Sequence, residues 1–411
     1  MRRIEVFATI VVLALSGAAH AGEAPATPKD HDFAASFVLR GGYDSNPEFS
    51  SGNGIGGSTF IAEETALAAG SKSGDTTLGV AAEARAVHYA NPLATPALGG
   101  KVILRASIGD DDFKVSSSTT VADARSYNLR SSDVIQSVKA EARFDQVKAF
   151  VTLEGARSSL NQTNAIFQDF LPTPQQYLRG TIVPGVSLVR GKAEIGVSAN
   201  LSVRRYVDEF DDFGYRRDNE RVQPFLFARY EDAAVTAFGS VSRLYGQWHD
   251  VDFSNVDRWL FDASLSWKIR PFTLDLVAAR RASETTFPIS PITIDTVYSA
   301  KASWKVDDRL TLMASLGYAD TAYLDSPFTA RTLTYGVGLS HDLGDNLLLG
   351  IDVTRAQGTL ISGARADAIV FSSSLTKRFT PLAQQAALQD DRPQAARSSG
   401  RERSRPPPSA Q

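Results

Sequence analysis

The sequence predicts an all-β fold: a single closed antiparallel transmembrane β-barrel of about 18 strands (16–18) around a water-filled lumen. Three observations predict it. From residue 33 to Phe379 the chain is built of segments of about 10–14 residues that alternate apolar and polar side chains, the period of a strand with unlike faces. The connections between segments alternate between short turns and long loops, as outer-membrane barrels alternate periplasmic turns with external loops. The chain also opens with an export leader. Averages hide all this: 411 residues, a formal charge of −3 and a mean hydropathy of −0.15 describe an ordinary soluble protein, because each strand averages an oily face with a wet one. Zero Cys excludes disulfides, thiol catalysis and Cys-ligated metals, and five His leave little for a His-ligated one, so no metal or cofactor is expected. Near-neutral charge predicts no nucleic-acid partner.

Taken from the N-terminus, Arg2 and Arg3 precede an apolar run from Val6 to Leu15, and Ala19-His20-Ala21 has the small–x–small form of a leader-peptidase site. Residues 1–21 are therefore expected to be a signal peptide read by the Sec translocon, with cleavage between Ala21 and Gly22. The run is too short to span a bilayer, which takes about 20 residues. Residues 22–32 form a polar periplasmic linker.

The barrel is expected over 33–379, with strands at 33–43, 57–70, 75–89, 98–109, 113–123 and 133–144. Six more fall at 147–159, 178–190, 192–206, 220–230, 233–246 and 258–269, and the last six at 272–284, 294–306, 309–322, 332–343, 346–358 and 367–379. Segment 192–206 shows the logic. Ile195, Val197, Leu201 and Val203 share one face, and Glu194, Ser198, Ser202 and Arg204 the other. Segment 113–123 fits least, because Lys114 to Thr119 is mostly polar; without it seventeen strands remain and the two chain ends leave on opposite sides. In 220–230, Phe225 and Phe227 share parity with Arg221 and Arg229, so neither face is assigned, and Pro224 suggests a bulge. Segment 57–70 is ambiguous at the adjacent Glu63 and Glu64.

Dimensions agree with a membrane span. Trp259 and Trp267 share a face eight residues apart, roughly 26 Å along the strand and, at a tilt of about 40°, roughly 20 Å along the membrane normal. With Trp304 and Tyr318 they are expected in the aromatic girdles. The last strand ends Phe371-x-x-x-Leu375-x-x-x-Phe379, which resembles the signal read by the barrel assembly machinery, although Lys377 occupies a usually apolar position. Residues 380–411 form a Pro-, Gln-, Ser- and Arg-rich periplasmic tail, expected to be disordered, whose arginines could touch cell-wall polymers.

Barrels of 16–18 strands leave an aqueous channel. The inward face then presents Arg40, Glu83, Arg85, Lys101, Arg105, Glu141, Arg143, Glu194, Arg204, Lys268, Arg281, Lys301 and Lys305, a set that tilts basic and predicts a weak anion preference. A lumen whose charges simply pair across strands is the competing expectation. Loop 160–177, the longest, with Phe167, Phe170 and Leu171, is the candidate for an internal constriction. Loops 207–219 and 248–257 are rich in carboxylates, read as solvated or bridged to lipopolysaccharide.

Leaving the first strand, Gly41-Gly42-Tyr43-Asp44-Ser45-Asn46-Pro47 resembles an element of the β-barrel porin type-2 group, export-signalled outer-membrane barrels of Gram-negative bacteria. The resemblance implies this fold and an outer-membrane location, and carries no catalytic residues. Passive diffusion of small hydrophilic solutes is thus the expected function. The alternatives are a polysaccharide-export-associated or structural barrel without a free pore and, more remotely, a hydrolase using Trp248-His249-Asp250-Val251-Asp252.

Overall fold

The computed structural model describes residues 32–51, 56–125, 129–162, 173–285 and 290–379. The leader, its cleavage site, most of the linker and the tail lie outside these residues, as does 163–172 of the expected constriction loop.

Eighteen strands form one sheet. They are β1 (Asp32–Asp44), β2 (Ser58–Ser73), β3 (Thr76–Tyr89), β4 (Ala97–Gly109), β5 (Phe113–Arg125) and β6 (Leu129–Phe144). Then come β7 (Val147–Gln162), β8 (Gln175–Arg190), β9 (Ala193–Tyr206), β10 (Asn219–Glu231), β11 (Val235–Trp248) and β12 (Val256–Ile269). The last are β13 (Phe272–Glu284), β14 (Ile292–Lys305), β15 (Leu310–Tyr323), β16 (Thr329–Gly344), β17 (Leu347–Thr359) and β18 (Arg365–Phe379). Every neighbour is antiparallel, and β1 pairs with both β2 and β18, which closes the ring and leaves no sheet edge to satisfy in lipid.

All eighteen expected segments are strands, including the polar one at 113–123. Most run past the expected bounds, so the outer connections are shorter than the spacing implied: β5 and β6 pair as far as Arg125↔Arg130, and β15 and β16 are joined through 324–328.

Because directly paired residues share a face, the ladder settles the ambiguous parities. Leu39 pairs with Glu63, which puts Glu63 outside and Glu64 inside, where its carboxylate meets Arg85 at 3.3 Å. In β10, Phe225 and Phe227 pair with Ser198 and Gly196 and so face inward with Arg221 and Arg229. The expected bulge at Pro224 is absent: Val222↔Tyr245 and Phe225↔Ser242 lie on one register. Pro224 instead stands on the outer face beside Ala199, as Pro184 does on the other side of β9, so two residues without N–H flank one strand at unchanged register.

On the outer face Phe272 stacks on Trp304 with ring centroids 5.9 Å apart, and Tyr298 on Tyr318 at 6.3 Å. Trp259 and Trp267 are exposed on the same face of β12, and Phe371, Leu375 and Phe379 are exposed on β18. Lys377 shares that outer face, where its Nζ reaches back 2.6 Å to the Asp345 carbonyl in the short turn, keeping its charge at the polar margin. The polar stretch of β5 is handled by local pairing: outward Gln136 accepts from Thr119 Oγ1 and donates to Ser117 Oγ at 2.8 Å.

Candidate functional site

The register places every expected pore-lining residue, from Arg40 and Glu83 through Lys301 and Lys305, on the inward face. They do not form one uniform wall.

Toward the short turns of β1 to β6 the inner face is low. Ala68, Gly70, Gly79, Ala81, Ser107, Ser116, Ser118 and Ser137 line a cavity of about 670 Å³ with Arg105, Lys114, Lys139 and Glu141. Small side chains leave this space, and the charged ones stand out into it. Neighbouring charges partly pair: Lys139 meets Glu141 at 2.8 Å, Lys148 meets Glu194 at 2.5 Å and Arg179 meets Glu154 at 2.5 Å. Among the described residues Lys101, Arg105 and Lys114 make no ion pair within 4 Å, although Glu83 lies directly across from Lys101 and Glu141 across from Lys114. Further round, Lys301 lies opposite Asp275, and Arg281 bonds Asp262. Lys305 turns to Asp308 in the short turn at 3.2 Å, and Arg143 to the Asp145 carbonyl at 3.0 Å.

From β9 to β15 the outer mouth is filled. The β12–β13 ladder stops at Phe261↔Arg280, whereas β13 and β14 stay paired up to Glu284↔Ile292. Ala282, Glu284, Ile292 and Ile294 have the parity of lipid-facing Phe272, Leu276, Tyr298 and Trp304, yet they are covered. Ile292 is 0% and Ile294 5% exposed, packed with inward-facing Leu244, Trp248, Val256 and Leu260. The upper part of β13–β14, still paired to β15 as far as Thr293↔Tyr323, has therefore parted from β12 and lies inside β11–β12, its outer face against their inner one. This inward element narrows the outer mouth among the described residues, while 163–172 of the expected constriction loop lies outside them.

Charges fix it there. Glu284 takes Arg221 in a two-point contact, Nη1 at 2.9 Å and Nη2 at 3.1 Å, while Arg204 Nε lies 2.8 Å away. Arg221 is itself held by Asn219 Oδ1 at 2.9 Å and lies over the Trp248 ring at 5.4 Å. Arg217, its side chain 2% exposed, pairs with Asp211 at 2.7 Å and donates to the carbonyls of Thr285 and Ser290. Ser290 Oγ sits 2.8 Å from the carbonyls of Ile292 and Leu324. Arg204 is thus a buried anchor and not an open lining residue. Arg217, Arg221 and Glu284 escaped the sequence reading, although Arg280 and Glu284 on the apolar parity of β13 were a signal.

The acidic loops serve this construction. Asp211 accepts from the amides of Phe213 and Tyr215, and Asp250 from those of Arg216 and Asp252. His249 Nε2 lies 3.7 Å from Glu220 and 3.5 Å from Arg205.

A second inward element follows β1. Asn46 donates to the carbonyls of Ser50 and Asp367, at 2.9 and 3.1 Å, and its Oδ1 receives the Ser50 amide. Ser45 exchanges two bonds with Ile369. Phe49, at a φ of 44° and 2% exposed, is delivered onto Ala356, Leu360, Ala366 and Ala368. Gly358 makes room, since a Cβ there would lie 2.4 Å from the Arg331 carbonyl. The Tyr43–Pro47 element is thus a clasp from the first strand to the last.

The chain is a closed ring of eighteen antiparallel strands, a porin-like barrel fold, with the β13–β14 end and the segment after β1 turned into its lumen. Residues 189–371 match the family described as "Putative beta-barrel porin 2". The match runs from the end of β8 into β18, so it contains the tucked β13–β14 element and excludes Tyr43–Pro47. Among solved structures this porin-like barrel is similar to Pseudomonas aeruginosa OccK2 (OpdF), with 9% identity over 87% of this chain and 99% of that one and a TM-score of 0.48. It is also similar to a BenF-like porin from Pseudomonas fluorescens Pf-5, at 10% identity, 85% and 99% coverage and a TM-score of 0.46. The FrpB iron transporter of Neisseria meningitidis (F3-3 variant) aligns at 8% identity and a TM-score of 0.44 over 80% of this chain. This chain spans 62% of that transporter's length, under two thirds. Likeness at this level concerns barrel shape alone. No curated protein matches the chain.

Proposed function

We propose that the chain is an outer-membrane channel for passive diffusion of small hydrophilic solutes, with a preference for anions. The observation that carries this reading is the low wall of β3 to β5, where Arg105 and Lys114 line a 670 Å³ cavity and Lys101 stands exposed on the same inner face. A row of like charges in a confined aqueous space raises the local concentration of counter-ions. In this reading the leader over 1–21 sends the chain through the Sec translocon, the exposed Phe371, Leu375 and Phe379 present the last strand to the assembly machinery, and the outer rim meets lipopolysaccharide. The test is the reversal potential of the purified barrel in a planar bilayer across a salt gradient: anion selectivity is expected, and clear cation selectivity overturns it. The inward β13–β14 element and Phe49 favour a second reading, a structural or polysaccharide-export-associated barrel without a free pore. Absence of any ionic current from the folded barrel would select it.

A further inference from the structure

We propose that Arg204 and Arg221 form a carboxylate-binding site in the outer mouth, and that Glu284 is its resident occupant, displaced by carboxylate-bearing solutes. This deepens the channel reading and rests on it for its purpose, while the site itself is defined by geometry alone. The fork of Arg221 meets Glu284 edge-on, both oxygens engaged at 2.9 and 3.1 Å, which is how a guanidinium takes a free carboxylate. Arg204 adds a third contact at 2.8 Å.

The receptor half is oriented from its own wall. Asn219 and the Trp248 ring orient Arg221, and Ser202 Oγ lies 3.2 Å from Arg204 Nη1, all on the continuous β9–β10–β11 wall. The occupant is not on that wall. Glu284 lies four residues beyond Arg280, the last β13 residue paired to β12, so its side chain can withdraw without breaking a wall hydrogen bond. Two guanidinium groups against one carboxylate also leave a net positive charge wherever Glu284 goes.

A carboxylate on the same chain competes at an effective concentration on the order of millimolar. Wild-type protein is therefore expected to bind a free carboxylate in the millimolar range or weaker, and removal of Glu284 to tighten that binding. The experiment is calorimetric titration of the full-length barrel in detergent with succinate, and with erythritol as the uncharged probe. Glu284→Ala is expected to bind succinate at least tenfold more tightly than wild type, Arg221→Gln in the Glu284→Ala background to lose that gain, and erythritol to give no heat. Equal succinate affinity in wild type and Glu284→Ala, or gain retained without Arg221, overturns the proposal and leaves the three residues as a structural ion cluster. If Glu284→Ala does not assemble, Glu284→Asp, which keeps the charge and shortens the reach, is expected to show a smaller tightening, and no tightening overturns the proposal equally. Planar-bilayer current, measured separately, tests the channel reading, so either can fail without the other.

Discussion

The inner walls of β3–β6 and of β9–β12 come from the same alternation of residues, yet one is low and open and the other is packed. Ala81, Ser107, Ser116 and Ser137 line the first wall on its short-turn half, whereas Arg204, Arg221, Leu244 and Trp248 crowd the second at its long-loop end. The difference is less in the strands than in what lies upon them: β13–β14 occupies the second wall and nothing comparable among the described residues occupies the first. A barrel wall with large inward side chains supplies a receptor for an inserted element, and one with small side chains supplies a passage.

The largest effect on this contrast is expected from Arg217→Ala. It leaves Asp211, its side chain 4% exposed, without its cation and frees the Thr285 and Ser290 carbonyls, so about 3–5 kcal/mol of local stability is at stake. Limited proteolysis of folded protein in detergent should then cut the β13–β14 connection, and unchanged resistance would mean that packing alone holds it. Next comes Leu244→Ala, the 2% exposed centre of the apolar cluster, expected to cost about 3 kcal/mol in urea unfolding while leaving cation–anion selectivity as it was. On the open side, the triple change Lys101→Gln, Arg105→Gln, Lys114→Gln is expected to leave stability nearly unchanged and to shift the reversal potential toward cations. A large loss of stability from it would show that the two walls differ less than the geometry says. Smallest is Arg243→Gln, which breaks an outward, exposed pair with Asp257 and is expected to change neither melting nor current measurably.

The strands and their faces were legible because alternation is a local property: Ile195 to Val203 point outward whatever happens elsewhere. Parity, however, states which side of a strand a residue lies on and not which layer the strand occupies. Glu284 and Ile292 carry lipid-face parity and are nonetheless inside, because the β12–β13 ladder ends at Arg280 and β14 follows β13 inward. The same limit explains Phe225 and Phe227, aromatic on a wet parity, which fill the lumen wall: Phe150 and Phe227 meet edge-on with centroids 6.1 Å apart. The Pro224 bulge failed for another reason. A missing N–H removes one bond but adds no residue, and the register continues past it.

The clasp after β1 bears on how the ring comes to be shut. Asn46 and Asp367 are 321 positions apart, and Ser45 and Ile369 are 324. Loop-closure entropy grows only with the logarithm of separation, about 0.6 kcal/mol per doubling, so this meeting costs roughly 2 kcal/mol more than closing a thirty-residue loop. A few side-chain bonds and one buried phenyl ring are of the size needed to offset that. The difficulty of such a distant contact lies in the search, which lengthens as partners lie further apart along the chain. A short polar tag beside the first strand, complementary to the last, marks for an assembling sheet which two edges are to be joined.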